Sequence, residues 1–94
     1  MINDDVVFRV HAIQRMIERE ISVKNVRKIL ELGVVIEDYS AEMPEPVRLI
    51  LGYQGKRPIH LVLSENTKTN QVIIVTVYIP GPDKWKKDHR SRIR

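Results

Sequence analysis

The sequence predicts an α+β fold, in which an N-terminal helical hairpin packs on an antiparallel four-stranded β-meander and a basic C-terminal tail follows. Apolar residues recur with a helical period up to Leu32 and with a strand-like period from Val34 onward. The last three strands are joined by links too short for a crossover, so they must be antiparallel neighbours. A chain of 94 residues is expected to form one domain, residues 1–94, with a core over about residues 6–80 and a tail over residues 81–94.

The first helix is predicted to run from about His11 to Arg19, after an apolar stretch, residues 6–10, that suits either a brief strand or the start of the helix. One side of this helix is apolar and consists of Ala12, Ile13, Met16 and Ile17. His11, Arg15 and Arg19 stand at i, i+4 and i+8 on another side. This column suits an anionic ligand, whereas the simpler interpretation is a solvated face on which Glu18 partly neutralises Arg15.

The second helix has clear start and stop signals. Ser22 is a favourable N-cap before the periodic segment Val23–Leu32. Gly33 follows the last periodic residue, where a left-handed C-terminal cap is expected. Two short helices with a tight link between them indicate a helical hairpin.

Four strands are predicted in the second half of the chain, each bounded by turn residues. Their predicted ranges are Val34–Tyr39, Val47–Tyr53, Pro58–Ser64 and Gln71–Ile79. A three-residue turn pairs Leu51 with Ile59, and a five-residue turn then sets Ile59 opposite Val77. The face under the helices would carry Leu49, Leu51, Ile59, Leu61, Leu63, Ile73, Val75 and Val77. The other face would carry His60, Tyr78 and Arg48 among apolar residues.

The net charge of +4 is confined to the tail, because residues 1–80 hold ten basic and ten acidic side chains. The basic residues of the tail are Lys84, Lys86, Lys87, Arg90, Arg92 and Arg94, against Asp83 and Asp88. Such a tail attracts polyanions, and a solubilising terminus is the equally simple interpretation. Cysteine is absent, and no stretch has the length of a membrane span or the pattern of a signal peptide, so we expect a cytoplasmic protein.

The sequence contains the types of side chain that can cleave a phosphodiester bond without a metal. Histidine can act as base or acid near neutral pH, tyrosine can donate a proton, and arginine binds phosphate oxygens in a fork. The three histidines His11, His60 and His89 lack the spacing of metal ligands, and no cofactor motif is present. Each of these residues also has a simpler interpretation. His60 can be a structural hydrogen-bonding group, and Tyr78 can lie at the rim of the core. Trp85 can stack on a base or anchor the tail to the domain, and we favour the anchoring role.

The N-terminal residues resemble the signature of a small prokaryotic family called domain of unknown function 4258. The matching residues are His11-Ala12, Arg15-Met16, Arg19 and Ile21-Ser22, followed near the end by Val77-Tyr78-Ile79-Pro80 and Trp85. Glu20 stands where members of that family usually have glycine, which places only the local turn in question. The family is similar in size and element order to RelE-like toxins of toxin–antitoxin pairs, which are small basic endoribonucleases.

The resemblance implies a toxin-type endoribonuclease that works without metal or cofactor. It assigns His11 or His60 as base or acid and Tyr78 as a positioning or acid group. The phosphate- and RNA-binding residues would be Arg15, Arg19, Arg48, Lys84, Lys86, Lys87 and Arg90. The expected partners are RNA and an antitoxin-type protein. A non-catalytic binding module for nucleic acid or protein is the alternative, as is a structural domain that dimerises through an edge strand, either the first predicted strand or the β-rich fourth.

Overall fold

The computed structural model describes residues 5–93, which form two helices on one face of a five-stranded mixed sheet. The helices are α1 (Val10–Arg19) and α2 (Val23–Leu32). The strands are β1 (Val6–Phe8), β2 (Val34–Asp38), β3 (Val47–Gln54), β4 (Arg57–Asn66) and β5 (Gln71–Tyr78), with a single 3-10 turn at Ser40–Glu42 between β2 and β3. Their order across the sheet is β1-β5-β4-β3-β2.

The predicted α+β class is confirmed, and the predicted four-stranded antiparallel sheet is wrong in one respect. β1 adds a fifth strand that runs parallel to β5, with Val6 paired to Val72 and Phe8 to Ile74. Three residues are too few to show a period of two, so pairing with a distant strand decides their structure. β1 also pairs with residues 72–74 of β5, so that part of β5 is not an open edge for dimerisation, whereas β2 is an edge.

Each helix packs on the sheet rather than chiefly on its neighbour, so the predicted helical hairpin is better described as two helices side by side. α1 lies on β5 and α2 lies on β3. The predicted cap of α2 is confirmed, since the Ser22 hydroxyl accepts a hydrogen bond from the Asn25 N–H at 3.1 Å. The hydroxyl thereby satisfies one of the free N–H groups in the first turn.

The left-handed C-terminal cap falls on α1 instead of α2. Glu20 has φ 56° and ψ 47°, and the next residue, Ile21, donates its N–H to the Met16 carbonyl at 2.8 Å. Gly33, the predicted left-handed position, has an extended backbone with φ −73°. Glycine is needed there for space, because a Cβ atom would lie 2.5 Å from both the Ile29 carbonyl oxygen and Ile50 Cγ2. The missing side chain therefore permits α2 to approach β3.

The predicted strand register is wrong by one residue between β3 and β4. The turn contains two residues, with Gly55 at φ 63°, so Gln54 pairs with Arg57 and Leu51 pairs with His60. A two-residue turn favours such positive φ values. The shift turns Leu49 and Leu51 away from the helices and turns Ile50 toward them. It also places Arg48 on the helix side, opposite Leu63, and not on the face that carries His60.

Two bulges change which side chains reach each face. In β2, Val35 pairs with Ile50 and Glu37 with Leu49, so Ile36 is the extra residue. In β5, the pairing shifts between Val62 and Leu63 of the neighbouring strand. Because alternation restarts after a bulge, Glu37 is redirected to the face opposite the helices. The core under the helices contains Ala12, Met16, Ile21, Val26, Ile29, Ile50, Ile59, Leu61, Leu63, Ile74 and Val77.

The face opposite the helices is covered by the C-terminal segment. Leu49, Leu51 and His60 are buried there, and so is Trp85 of the tail, at 4% exposure. The tail is therefore packed on the sheet through its aromatic residue. Over the residues that the structure describes, neither helix has the length and apolar character that a membrane crossing requires.

Candidate functional site

The C-terminal segment folds back on itself as a short hairpin, which we call the tail hairpin, residues 84–93. The Lys86 N–H donates to the Ser91 carbonyl at 2.8 Å, and the Ile93 N–H donates to the Lys84 carbonyl at 2.9 Å. Asp88 stabilises the turn, because its carboxylate accepts hydrogen bonds from the Ser91 hydroxyl at 2.7 Å and from the N–H groups of Arg90 and Ser91 at 3.0 Å. These bonds, the hydroxyl first, lower the pKa of Asp88 to about 2.

Trp85 anchors the tail hairpin to the sheet, as its predicted anchoring role requires. Its ring packs edge-on against His60, with 4.4 Å between ring centroids and 86° between planes. Such an edge-on arrangement places the positive rim of one ring on the negative face of the other. The only tryptophan of the chain is therefore occupied within the fold and does not present a free surface for base stacking.

His60 is fully enclosed and hydrogen-bonded on both ring nitrogens. Its Nε2 lies 2.5 Å from the His89 carbonyl oxygen, which can only accept, so Nε2 carries the proton. Nδ1 is then an acceptor, and the Tyr78 hydroxyl donates to it at 3.1 Å. Burial lowers the pKa of His60 and raises the pKa of Tyr78, so the imidazole and the phenol are both neutral at physiological pH.

Arg92 is held in place by three groups on the same face. Its Nε and Nη2 donate to the two carboxylate oxygens of Glu37 at 2.7 and 2.9 Å, and Nη2 also lies 3.3 Å from the Tyr39 hydroxyl. The guanidinium carbon is 4.6 Å from the centroid of the Trp85 ring. Tyr39 donates its own hydrogen to Glu37. The Arg92 hydrogen bonds lower the pKa of Glu37 and, in return, Glu37 raises the pKa of Arg92, so both remain charged.

A cleft of about 520 Å³ lies between α1, the end of β5 and the base of the tail hairpin; we call it the basic cleft. Its lining is Arg15, Arg19, Tyr78, Ile79, Gly81, Asp83, Lys84, Trp85 and Arg92. Four cations therefore face one carboxylate, Asp83. Arg15 is partly neutralised by Glu18 at 2.8 Å, whereas Arg19 and Lys84 form no ion pair within residues 5–93. The arrangement can bind an anion with several oxygen atoms.

The structure brings together only some of the predicted site residues. Arg15, Arg19, Tyr78 and Lys84 line the basic cleft, and His60 lies behind Tyr78 without access to solvent. His11 is exposed at the start of α1, one helical turn before Arg15, and does not line the cleft.

The other predicted phosphate-binding residues lie elsewhere. Arg48 pairs with Asp38 at 3.4 Å and with Glu65, both away from the cleft. Lys86 and Lys87 are exposed on the tail hairpin, and Arg90 lines a separate cavity at its tip.

Two site residues escaped prediction from the sequence. The sequence marks Arg92 only as one more basic residue of the tail and Glu37 only as part of an edge strand. Their contact depends on the bulge in β2 and on the return of the tail over the sheet, neither of which has a local signal. Among residues 5–93, no group of three or more His, Asp or Glu side chains is placed to hold a metal ion.

Comparison with protein families identifies the chain. The family model described as Domain of unknown function (DUF4258) matches residues 8–79, which run from the end of β1 to the residue after β5. The chain belongs to the DUF4258 family. The DUF4258 match contains Arg15, Arg19, His60 and Tyr78, whereas the tail hairpin, with Lys84 and Arg92, follows it. Comparisons with curated proteins and with solved structures give no match to this DUF4258 chain.

Proposed function

We propose that this DUF4258 protein is a metal-independent endoribonuclease of the toxin type, similar to RelE-like toxins, that acts on RNA in the cytoplasm. The observation that carries the proposal is the convergence of four cations, Arg15, Arg19, Lys84 and Arg92, on the wall that contains Tyr78. In RNA, a 2′-hydroxyl lies on the ribose carbon next to the one that carries the 3′-phosphate, so it can attack that phosphate. A cleft with cations and a tyrosine hydroxyl complements both groups.

The cations would bind the scissile phosphate and stabilise the charge that develops on it. Arg19 and Lys84 are the best candidates for direct contact, because neither is neutralised by an ion pair in the described part of the chain. Arg92 would contribute a guanidinium whose orientation is already fixed by Glu37 and Tyr39, so binding costs it little side-chain entropy.

Tyr78 and His60 would handle the proton of the attacking 2′-hydroxyl. The Tyr78 oxygen can accept that proton while its own proton passes along the existing hydrogen bond to His60 Nδ1, the unprotonated nitrogen of the ring. Burial disfavours the resulting imidazolium, and the negative charge of Glu37 partly offsets that effect. The leaving 5′-oxygen needs a proton in turn, and Lys84 is a lining cation that can release one, since arginine does not deprotonate in proteins.

The experiment is an RNA-cleavage assay with purified protein, with and without translating ribosomes, in buffer that contains EDTA. We expect cleavage that leaves a cyclic phosphate, and a rate about 100-fold lower for Tyr78→Phe and for Arg19→Ala. Lys68→Ala removes an exposed lysine in the β4–β5 turn and serves as the matched control, with unchanged activity. Absence of cleavage by the unmodified chain, with and without ribosomes, would disprove the proposed endoribonuclease activity.

A non-catalytic RNA-binding module is the second candidate, and a specific observation favours it. Neither of the two predicted catalytic histidines lines the basic cleft: His60 is enclosed and His11 lies outside. A binding module would bind RNA with a steep dependence on salt and leave it intact. In that case Tyr78→Phe would change neither affinity nor RNA integrity, whereas Arg19→Ala would still weaken binding.

An antitoxin-type protein would, on this proposal, neutralise the enzyme by covering the basic cleft. The unpaired cations Arg19 and Lys84 would then attract an acidic segment of the partner.

Dimerisation through the exposed edge of β2 is a further proposal, because Val34 and Val35 are about half exposed there. Co-purification of an acidic partner that competes with RNA would support the first proposal, and light scattering tests the second.

A further inference from the structure

A second cavity, of about 570 Å³, lies at the other end of the tail hairpin, and the proposed chemistry does not use it. Its floor is apolar and includes Ile29 and Leu51. Three exposed or partly exposed side chains from different elements surround it: Lys28 of α2, Tyr53 of β3 and Arg90 of the tail hairpin. We call it the tip cavity.

The charges of the tip cavity suit an anion. Lys28 and Arg90 form no ion pair in the portion of the chain that the structure describes. The lining carboxylate is Asp88, and its oxygens are occupied by the Ser91 hydroxyl and by backbone N–H groups of the turn. Two cations are thus free for a ligand, whereas the acid is committed to the hairpin itself.

Tyr53 adds a flat apolar surface beside these cations. Its side chain is 47% exposed, although the strand that carries it is otherwise largely buried. An exposed aromatic ring that shares a cavity with two cations is typical of proteins that bind single-stranded nucleic acid, because a base stacks on the ring and the cations bind the flanking phosphates.

The tail hairpin connects the two cavities. Its base, with Lys84 and Arg92, lines the basic cleft, and its turn, with Asp88 and Arg90, lines the tip cavity. Lys86 and Lys87 are exposed between them. Lys84 and Asp88 are four residues apart, so at about 3.3 Å per residue of extended chain the base and the turn of the tail hairpin lie roughly 13 Å apart, which a few nucleotides can span.

We propose that the tip cavity is a second RNA subsite, in which an unpaired base stacks on Tyr53 while Lys28 and Arg90 bind the adjacent phosphates. The RNA strand then runs from the basic cleft along the tail hairpin to the tip cavity. This inference rests on one part of the proposed function, namely that the protein binds RNA. It adds that the substrate is single-stranded and several nucleotides long, since a duplex does not offer a free base face.

The test compares the affinities of a single-stranded dodecamer, a dinucleotide and a duplex of the same length as the dodecamer, measured by fluorescence anisotropy with the full chain. The dinucleotide, which has a single internucleotide phosphate, is too short to reach the tip cavity from the basic cleft. We expect Tyr53→Ala to weaken dodecamer binding about tenfold and to leave dinucleotide binding in the basic cleft unchanged. Tyr53→Phe keeps the ring and should bind normally. The duplex should bind more weakly than the dodecamer.

The charge contribution is tested with a matched pair on α2. Lys28→Ala should weaken dodecamer binding and reduce the slope of its salt dependence by about 0.7, the value for one phosphate contact on a single strand. Lys24→Ala removes an exposed lysine that does not line the tip cavity and should leave that slope unchanged.

The outcomes separate this subsite from the proposed function. Equal dodecamer binding by the unmodified chain and Tyr53→Ala would disprove the subsite while RNA binding itself stands. Equal weakening of dinucleotide and dodecamer binding would also contradict it, because the loss would then come from the fold. If the unmodified chain binds none of the RNAs, the subsite and the proposed function fail together.

Discussion

Arg92 and Glu37 lie 55 residues apart in the sequence and form an ion pair with two parallel hydrogen bonds, at 2.7 and 2.9 Å. Glu37 belongs to the edge strand β2, and Arg92 belongs to the tail hairpin. The pair therefore fastens the end of the chain to the far edge of the sheet. It also fixes the direction in which the guanidinium enters the basic cleft.

The first prediction concerns this pair. Glu37→Gln and Arg92→Lys should each lower the free energy of unfolding by about 1 kcal/mol or less, because the Arg92 side chain is half exposed and water screens the interaction. A double-mutant cycle should give a coupling energy of the same order, since either change alone already breaks the paired geometry. Urea unfolding measures all four proteins. A coupling energy of zero would mean that the pair contributes nothing to stability.

The second prediction is that Trp85→Ala releases the tail hairpin. Removal of a buried indole should lower the free energy of unfolding by about 3–5 kcal/mol, and the loss should be smaller for Trp85→Phe, which still fills part of the space beside His60. Chemical unfolding followed by circular dichroism measures both variants. An alanine variant as stable as the unmodified chain would show that the tail is not anchored by this residue.

The third prediction is a loss of stability at mildly acidic pH that originates at His60. Burial lowers the pKa of this imidazole in the folded chain, whereas the unfolded chain keeps a pKa near 6.5, so the unfolded state binds more protons as the pH falls. This contribution to the free energy of unfolding is constant well above pH 6.5. It decreases as the pH falls through 6.5 toward the lowered folded pKa.

Urea unfolding at a series of pH values tests this expectation. His60→Gln removes the titrating group and should flatten the decrease, even if the variant is less stable at every pH. His11→Gln is the matched control, because His11 is exposed and its replacement should leave the decrease in place. If both variants retain the slope of the unmodified chain, the pH dependence arises from other groups.

The fourth prediction concerns Glu20, which adopts the left-handed conformation with φ 56° at the end of α1. Glycine adopts this conformation without strain, so Glu20→Gly should raise the free energy of unfolding by about 1 kcal/mol. Glu20→Ala is the control for charge, because it removes the carboxylate near the negative end of the helix but keeps the Cβ atom. A gain as large for alanine as for glycine would assign the effect to charge instead of backbone conformation.

The parts of the fold that the sequence predicts are those fixed by local interactions. The cap at Ser22 requires only residues within one helical turn, and the strand from Gln71 is indicated by its own run of β-branched residues. Positions that depend on distant partners were predicted poorly. Whether Gly55 sits in a two- or three-residue turn changes which face every residue of β3 occupies, and the sequence offers no independent measure of that length.

The candidate site shows the same division. The column of Arg15 and Arg19 follows from helix geometry alone, and both residues line the basic cleft. The place of Arg92 beside them depends on where the tail returns, which is decided by the burial of Trp85 and by the bulge that redirects Glu37. Bulges have weak sequence signals, so this part of the site required the structure.

The parallel pairing of β1 with β5 has a consequence for the order of events on the ribosome. β1 emerges before the other strands, but its neighbour in the sheet, which places Val72 beside Val6, is synthesised 66 residues later. Lys84 and Arg92 are added later still. A nascent chain thus cannot close its sheet until β5 has been synthesised, and it cannot assemble the basic cleft until Arg92 has followed, so any activity of that cleft begins only after residue 92 has left the ribosome.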